Sequence, residues 1–130
     1  MKILVTGGLG YIGSHTVIEL SKKFEILIVD NLINSDLSNL DRIKKLSVNN
    51  IEFENIDLSQ KEEVFELFTK YTNIHTIFHF AALKSVSESI EKPKKYFDNN
   101  VFSVQNIINE IKKRKLTIDF IFSSSCTVYG

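Results

Sequence analysis

The chain alternates short, almost wholly apolar runs with longer segments that repeat apolar residues at helical spacing. Such runs are typical of strands buried on both faces, and the helical segments between them predict a parallel sheet covered by helices on each side. The predicted strands are Lys2–Thr6, Glu25–Asp30, Ile51–Ile56, His75–Phe80 and Asp119–Ser123. Right-handed crossovers between them predict the strand order 3-2-1-4-5 of a Rossmann-like, doubly wound α/β fold.

Four helical segments lie between these runs. The predicted helices are Tyr11–Lys23, Leu37–Leu46, a third behind Ser59, and a long fourth that starts at Pro93. Ser59 and Glu62 have the S-x-x-E spacing of a capping box, which predicts the start of the third helix. The fourth helix is expected to bury one apolar stripe, made by Phe97, Val101, Val104, Ile108 and Ile111.

Length and charge limit the classes of protein to which the chain can belong. Its 130 residues suit one domain with a real core, and 16 basic residues cancel 16 acidic ones, which argues against nucleic acid or an anionic membrane as the main partner. The basic run Lys112–Lys115 is interpreted as a solvated helix end. A single cysteine, no apolar run of about 20 residues and no signal-peptide pattern predict a cytoplasmic enzyme or binding domain without a membrane partner.

Gly7, Gly10 and Gly13 follow the first predicted strand with the spacing G-x-x-G-x-x-G. The first glycine permits a tight turn off the strand, the second lets the backbone approach a pyrophosphate, and the third lets the next helix pack closely on the sheet. The helix N-terminus adds free N–H groups and a partial positive charge. The stretch therefore predicts a dinucleotide site, although three glycines alone would also suit a simple turn.

Asp30 ends the second predicted strand, close to the separation of about 20 residues from the glycines that is expected of a ribose-binding carboxylate. A carboxylate there accepts hydrogen bonds from a ribose 2′-OH and repels a 2′-phosphate, so NAD is favoured over NADP as the cofactor. The alternative is a side chain that only caps a helix or a turn.

Five blocks of sequence add a resemblance to a known family. They are TGGLGYIGSH from Thr6, DNLINS from Asp30, HFAALKSVSES from His79, YFDNNV from Tyr96 and FSSSCTVYG from Phe122. In this order and spacing they resemble the extended short-chain dehydrogenase/reductase family over essentially the whole chain. The block HFAALK is more similar to the 4-epimerases of that family than to its sugar-nucleotide dehydratases.

The resemblance implies which residues bind NAD. The implied cofactor-binding set is Gly7, Gly10, Tyr11, Ile12, Gly13, Asp30, Asn31, Leu32, Asn34, Ser35, Asp57, Leu58, Phe80, Ala81, Ala82, Lys84 and Asn99. Backbone N–H groups of Tyr11 and Ile12 would meet the pyrophosphate, and the run from Asp30 to Ser35 would hold the adenosine ribose. Asp57 and Leu58 would flank the adenine, Asp57 by hydrogen bonding.

The same resemblance implies a UDP-hexose substrate. Ser125 is expected beside the sugar, where it would hydrogen-bond the reacting hydroxyl, and it is the one catalytic residue assigned. Lys84 and Thr127 join it as substrate-binding residues, and no metal ligand is assigned. Ser125 could instead end a strand by bonding local backbone.

Three other residues in these blocks have plainer interpretations. His79 is expected to be a packed strand residue and not a base. Cys126 stands where the family usually has alanine, so it is interpreted as a small apolar substitute and not as a nucleophile. Ser87 stands where glycine is common among the 4-epimerases, which weakens the assignment of the turn at residues 84–89.

The catalytic Tyr-x-x-x-Lys pair of the family has no match in these residues. Tyr71 is followed four residues later by His75, and Tyr96 by Asn100. The expectation is therefore an N-terminal NAD-binding domain over residues 1–130, truncated before the later strands and the substrate region. Alone it should be inactive, and its fifth strand should form an exposed apolar edge.

The implied activity belongs to the longer enzyme. It would interconvert UDP-glucose and UDP-galactose through a 4-keto intermediate, with NAD retained in the site, and it would be a homodimer. Two alternatives stay open at this point. One is another NAD-dependent sugar-nucleotide epimerase, dehydratase or reductase, and the other is a non-catalytic module that senses NAD.

Overall fold

A computed structural model describes residues 1–124 of the chain and shows one sheet of five parallel strands. The strands are β1 (Lys2–Thr6), β2 (Glu25–Asp30), β3 (Ile51–Asn55), β4 (Ile74–His79) and β5 (Asp119–Phe122). Their order in the sheet is β3-β2-β1-β4-β5, with every neighbouring pair parallel. The predicted Rossmann-like fold and strand order are confirmed.

Helices connect the strands and cover both faces of the sheet. They are α1 (Tyr11–Leu20), α2 (Ser38–Leu46), α3 (Lys61–Lys70), α4 (Val86–Glu91), α5 (Pro93–Phe97) and α6 (Ser103–Lys113), with a π-helical turn at Asp98–Phe102 between the last two. In the part of the chain that the structure describes, no helix has the length and apolarity needed to cross a membrane.

The core consists of two apolar layers, one on each face of the sheet. Leu4 of β1 packs in the layer that holds Phe68 of α3 and Ile107 of α6. The next residue of β1, Val5, packs in the opposite layer with Val17 of α1. Successive side chains of a strand point to opposite faces, so a central strand covered on both sides must be apolar throughout. The continuous apolar runs of the sequence arise from this requirement.

The start of α3 differs from the predicted capping box. Helix α3 begins at Lys61, and the Ser59 hydroxyl donates instead to Asp57 Oδ1 at 2.7 Å. The backbone N–H of Asp57 donates to Glu63 Oε2 at 2.8 Å, so Glu62 has no part in the arrangement. The prediction was wrong because Asp57 accepts from the N–H and the hydroxyl of Ser59, and this local turn competes with the cap.

The long helix predicted from Pro93 also differs from the structure, both in its continuity and in the residues it buries. It is interrupted by the π-helical turn, and Phe97 and Val101 are 56% and 43% exposed instead of lying on a buried stripe. The buried residues of α6 are Ser103, Ile107 and Glu110, and the other predicted stripe residues, Val104, Ile108 and Ile111, are half-buried. A π turn adds one residue to the helical repeat, so the residues after it face a different direction from those before it.

Arg114 departs from the predicted solvated helix end. Its Nε donates to Glu110 Oε2 at 2.8 Å, and its Nη1 donates to the carbonyl oxygen of Phe68 at 3.0 Å. Its Nη2 reaches the carbonyl oxygen of Phe65 at 3.1 Å. Phe68 is among the last four residues of α3, whose carbonyl groups have no partner within the helix, so Arg114 joins α6 to α3 there. The lysines of the run, Lys112, Lys113 and Lys115, are exposed as expected.

Strand β5 lies at one edge of the sheet, and part of its apolar surface is open to solvent. Ile121 is 45% exposed and Phe122 is 55% exposed. This agrees with the expectation of an exposed apolar edge. The strand ends at Phe122, one residue before the predicted end, and Ser123 N–H still donates to the His79 carbonyl oxygen at 3.3 Å.

Candidate functional site

A cleft of about 420 Å³ opens at the carboxyl ends of β1, β2 and β4. In an open parallel sheet this edge is where loops from neighbouring strands diverge and leave room for a ligand. All of the predicted cofactor residues line the cleft except Leu32 and Asp57. The structure therefore brings the separate sequence blocks to one place, and their role in binding NAD stays a prediction.

Gly7 and Gly13 are glycines because the backbone is crowded around them. Gly7 has a φ of +66°, and a Cβ there would lie 2.8 Å from the backbone nitrogen of Ala81. A Cβ on Gly13 would lie 2.2 Å from the carbonyl oxygen of Gly7. These two positions bring the β1–α1 loop close to β4 and to the start of α1.

Gly10 is different because packing does not demand a glycine there. Its φ of −72° and ψ of 176° are open to any residue, and a Cβ would meet only the Gly7 carbonyl oxygen, at 3.3 Å. Gly10 lines the cleft, so its backbone is open to a ligand there. A simple turn explains Gly7 but gives no reason for Gly10.

The N-terminus of α1 borders the same cleft through Tyr11, Ile12 and Gly13. Among residues 1–124, no side chain caps this helix end, and its first turn holds no acidic residue. The first N–H groups of a helix have no partner within it and carry partial positive charge. This end of α1 is therefore suited to an anion such as a phosphate.

Asp30 links the glycine loop after β1 to the loop that follows β2. It is 8% exposed, and its Oδ2 accepts from the backbone N–H of Leu9 at 3.2 Å. Its Oδ1 accepts from the Leu32 N–H at 3.0 Å and from the Ser35 hydroxyl at 2.6 Å. The turn-capping alternative is thus present in the structure, in a carboxylate that also lines the cleft.

Two predicted residues stand back from the cleft. Leu32 has a φ of +61° and contributes its N–H to Asp30, while its side chain packs against the core layer beside α1 and α2. Asp57 lies between two cleft residues, Ile56 and Leu58, and its Oδ1 is engaged by Ser59. The predicted hydrogen bond from Asp57 to an adenine is not tested by this geometry.

His79 is packed at the end of β4, as expected. It is 2% exposed, and its ring stacks on those of Phe120 and Phe122 with centroid distances of 5.8 and 5.9 Å. Its Nδ1 lies 2.8 Å from the Thr6 hydroxyl, which in turn accepts from the Ala81 N–H at 3.3 Å. Burial lowers the pKa of His79 to about 4, so the ring is neutral at physiological pH.

Lys84 is exposed and lines the cleft, between two residues whose backbones are tied down. The N–H of Leu83 donates to Asn100 Oδ1 at 2.8 Å. The N–H of Ser85 donates to the Tyr96 hydroxyl at 3.0 Å. The segment 83–85 is thereby joined to the helical region that follows it in the chain.

Several cleft residues were missed by the sequence interpretation: Val29, Ile56, Leu83, Ser85, Glu88, Tyr96 and Ser103. Ser103 follows the π-helical turn, which changes the repeat after Asn99, so α-helical spacing gave no signal for it. The predicted residues Ser125 and Thr127, like Cys126, lie outside the described residues. Within residues 1–124, no group of three or more potential metal ligands is present.

Known proteins match almost the whole length of the chain. The model of the GDP-mannose 4,6 dehydratase family matches residues 4–130. A UDP-glucose 4-epimerase of Schizosaccharomyces pombe is 45% identical over 129 residues, which cover 98% of this chain and 36% of that protein. A UDP-glucose 4-epimerase of Haemophilus influenzae is 44% identical over 131 residues, covering 100% of this chain and 38% of that protein.

Solved structures show the same fold. The UDP-glucose 4-epimerase of Bifidobacterium longum, in complex with NAD⁺ and UDP, matches with a TM-score of 0.91 and 38% identity, over 100% of this chain and 38% of that one. The enzyme of Stenotrophomonas maltophila, with bound NAD and formylated UDP-arabinopyranose, matches with a TM-score of 0.89 and 39% identity, over 100% and 38%. The chain therefore spans less than two fifths of the length of these relatives.

Proposed function

The chain belongs to the GDP-mannose 4,6 dehydratase family, and from this membership we propose that residues 1–130 form the NAD-binding part of a UDP-glucose 4-epimerase. The observation that carries the proposal is the cleft itself. It brings together three features at the carboxyl edge of one parallel sheet. They are the uncapped N-terminus of α1, Gly10, whose lack of a side chain is not required by packing, and the buried carboxylate of Asp30. Relatives that are 38% and 39% identical were crystallised with NAD⁺ or NAD.

The residues of the cleft fit a dinucleotide. The N–H groups at the start of α1 would receive the pyrophosphate, which the missing Cβ of Gly10 allows to come close. Asp30 would accept from an adenosine ribose, and its negative charge would oppose the extra phosphate of NADP. Phe80, Ala81, Ala82, Lys84 and Asn99 would form the wall on the β4 side.

The chemistry follows from what this part of the chain would hold in place. NAD, when bound, supplies the acceptor and later the donor of hydride for C4 of the sugar. We propose that His79 is not the base, because its buried ring stacks on Phe120 and Phe122 and its Nδ1 faces Thr6. We propose that Ser125 holds the sugar hydroxyl and that Lys84 and Thr127 help to bind the substrate. The residues that exchange the hydroxyl proton are proposed to follow residue 130 in the longer enzyme.

The test uses the full-length protein. UDP-galactose is offered with no added reductant, and the products are separated by chromatography. UDP-glucose as the product supports the proposal. A 4-keto-6-deoxy sugar as the product would contradict the proposal and indicate the dehydratase activity for which the family is named. NAD binding without turnover of any UDP-sugar would instead support the NAD-sensing alternative.

A second copy of the chain is the proposed protein partner. Five apolar residues between α4 and the end of the π-helical turn are exposed, among them Val86 at 75%, Ile90 at 77% and Phe97 at 56%. Exposed apolar patches of this kind mark interaction surfaces. Sedimentation equilibrium of the full-length protein and of its Phe97→Glu variant tests this, because a dimer built on this surface should dissociate in the variant.

The proposed location is the cytoplasm. Its support is the single cysteine, Cys126, because domains of oxidising compartments more often carry paired cysteines. A fluorescent fusion in the source cell checks the location directly, and fluorescence outside the cytoplasm would contradict it.

A further inference from the structure

We propose that Asn100 is a positioning residue, which clamps the backbone of Leu83 and so holds Lys84 at the cleft. This inference rests on the proposed NAD site. Asn100 does not line the cleft, and no role followed for it from the block YFDNNV. Its side chain is nevertheless placed so that the cleft wall depends on it.

The contacts of Asn100 with Leu83 are reciprocal. Oδ1 accepts from the Leu83 N–H at 2.8 Å, and Nδ2 donates to the Leu83 carbonyl oxygen at 3.0 Å. A primary amide that pairs with both polar groups of one residue fixes the position and the direction of that backbone, as a neighbouring strand would. Leu83 is 6% exposed, so water is poorly placed to replace either bond.

A second anchor holds the other side of Lys84. The Tyr96 hydroxyl accepts from the Ser85 N–H at 3.0 Å and donates to Glu88 Oε2 at 3.0 Å. Lys95 Nζ lies 2.7 Å from Glu88 Oε1. The Lys95 ammonium, and after it the Tyr96 hydroxyl, hold the pKa of Glu88 below its usual range, so the carboxylate remains the acceptor. The residues before and after Lys84 are therefore both fixed.

Two adjacent residues of the π-helical turn, Asn99 and Asn100, contact both parts of this wall. Asn99 lines the cleft, and its Nδ2 donates to Asn100 Oδ1 at 3.0 Å. Asn100 Oδ1 thus accepts from Asn99 and from the Leu83 N–H together. Single π turns inside α-helices often accompany functional sites, because the altered repeat redirects side chains. The clamp links two parts of the proposed cofactor wall, Asn99 and Lys84.

The first experiment measures amide exchange in the full-length protein, without ligand. In Asn100→Ala the Leu83 N–H loses its acceptor, so its exchange should accelerate by at least about tenfold. Asn109→Ala is the matched control, because Asn109 is exposed on the same helical region, and it should leave Leu83 unchanged. Asn100→Asp keeps the acceptor and loses the donor, so it should give an intermediate rate. Unchanged exchange in Asn100→Ala would overturn the proposal.

The second experiment asks whether the clamp acts through Lys84, using the Kd of NAD from calorimetry. Asn100→Ala should raise Kd about tenfold in the wild-type background and change it by less than about twofold when Lys84 is already alanine. An equal rise in Kd in both backgrounds would show that Asn100 does not act through Lys84. An unchanged Kd in both would show that Asn100 is a purely structural residue. Either result overturns the inference. Failure of the wild-type protein to bind NAD would overturn the proposed function together with it.

The anchor at Tyr96 has its own matched pair. Tyr96→Phe removes only the hydroxyl and should accelerate exchange of the Ser85 N–H. Tyr71→Phe is the matched control, because it also removes a hydroxyl that donates to a carboxylate, Glu54 Oε1 at 2.7 Å. Tyr71 does not line the cleft. This variant should leave both Ser85 and the Kd of NAD unchanged. Equal effects of the two variants on Ser85 would contradict a local anchor.

Discussion

Replacing Gly13 by alanine places one methyl group where the backbone leaves no room. The new Cβ would lie 2.2 Å from the Gly7 carbonyl oxygen and 2.8 Å from Gly8 Cα. The first distance is about 1.2 Å short of the 3.4 Å at which ordinary van der Waals contact begins. Both neighbours are backbone atoms, so no side chain can rotate away. The start of α1 must move, which strains the hydrogen bond from Gly10 N–H to the Gly7 carbonyl oxygen.

The loss of stability can be estimated from two opposing effects. Overpacking costs about 1–3 kcal/mol when the surroundings can adjust, and a clash between backbone segments places Gly13→Ala near the upper end. Alanine returns about 1 kcal/mol through its better helix propensity, because position 13 lies within α1. The net expectation is a loss of about 2 kcal/mol in the free energy of unfolding, a shift of about 1 M in the midpoint of urea denaturation.

Gly10→Ala is the matched control for this prediction. Its Cβ would meet a single atom at 3.3 Å, and its backbone conformation suits alanine. The expected cost in stability is less than about 1 kcal/mol, from the weaker helix start. Gly10→Ala should nevertheless impair NAD binding, because Gly10 lines the cleft where the pyrophosphate is proposed to approach the backbone. If Gly13→Ala unfolds at the same urea concentration as the wild type, the close-packing argument is refuted.

Three further predictions concern buried charge. The pKa of His79 is about 4 in the folded protein and 6.5 in the unfolded chain, so the unfolded chain binds a proton first as the pH falls. The free energy of unfolding should therefore decrease by up to about 3 kcal/mol between these pH values. His79→Gln should lack this decrease when denaturation is measured at a series of pH values. Arg114→Ala leaves the buried Glu110 without its main partner and should cost about 3 kcal/mol by thermal denaturation, whereas Lys113→Ala should stay within about 0.5 kcal/mol. Asp30→Asn should lower the ratio of the Kd of NADP to that of NAD by at least about tenfold, measured by calorimetry.

The sheet could be predicted from the sequence because one physical rule dominates it. A strand covered on both faces must be apolar along its length, and Leu4 to Val5 and Leu27 to Ile28 meet that rule with no exposed surface. Right-handed crossovers then leave little freedom in the strand order. The carboxyl edge of the sheet, and with it the cleft, follows from the topology alone.

The departures come from side-chain contacts and a change of helical repeat that the periodicity of the sequence does not show. The predicted capping box failed because Asp57 competes for Ser59, and the predicted stripe failed because a π turn reset the helical repeat after Phe97. Nothing in local periodicity indicates such a turn. The same holds for Arg114, whose partners lie 46 and 49 residues earlier in the chain. Helical spacing describes an isolated regular helix, so it shows neither a competing acceptor before the helix, nor a π turn, nor a partner on another element.

The loops around the cleft share one principle: a side chain from another element holds each of them. Asp30 of β2 holds Leu9 in the glycine loop, Thr6 of β1 holds Ala81 after β4, and Asn100 holds Leu83. Each side chain bonds a backbone N–H, so it fixes the path of the chain and leaves the neighbouring residue free to face a ligand. A cleft ordered in this way loses little conformational freedom on binding, so more of the contact energy appears as affinity. The polar residues at the strand ends therefore serve the site even where they never touch a ligand.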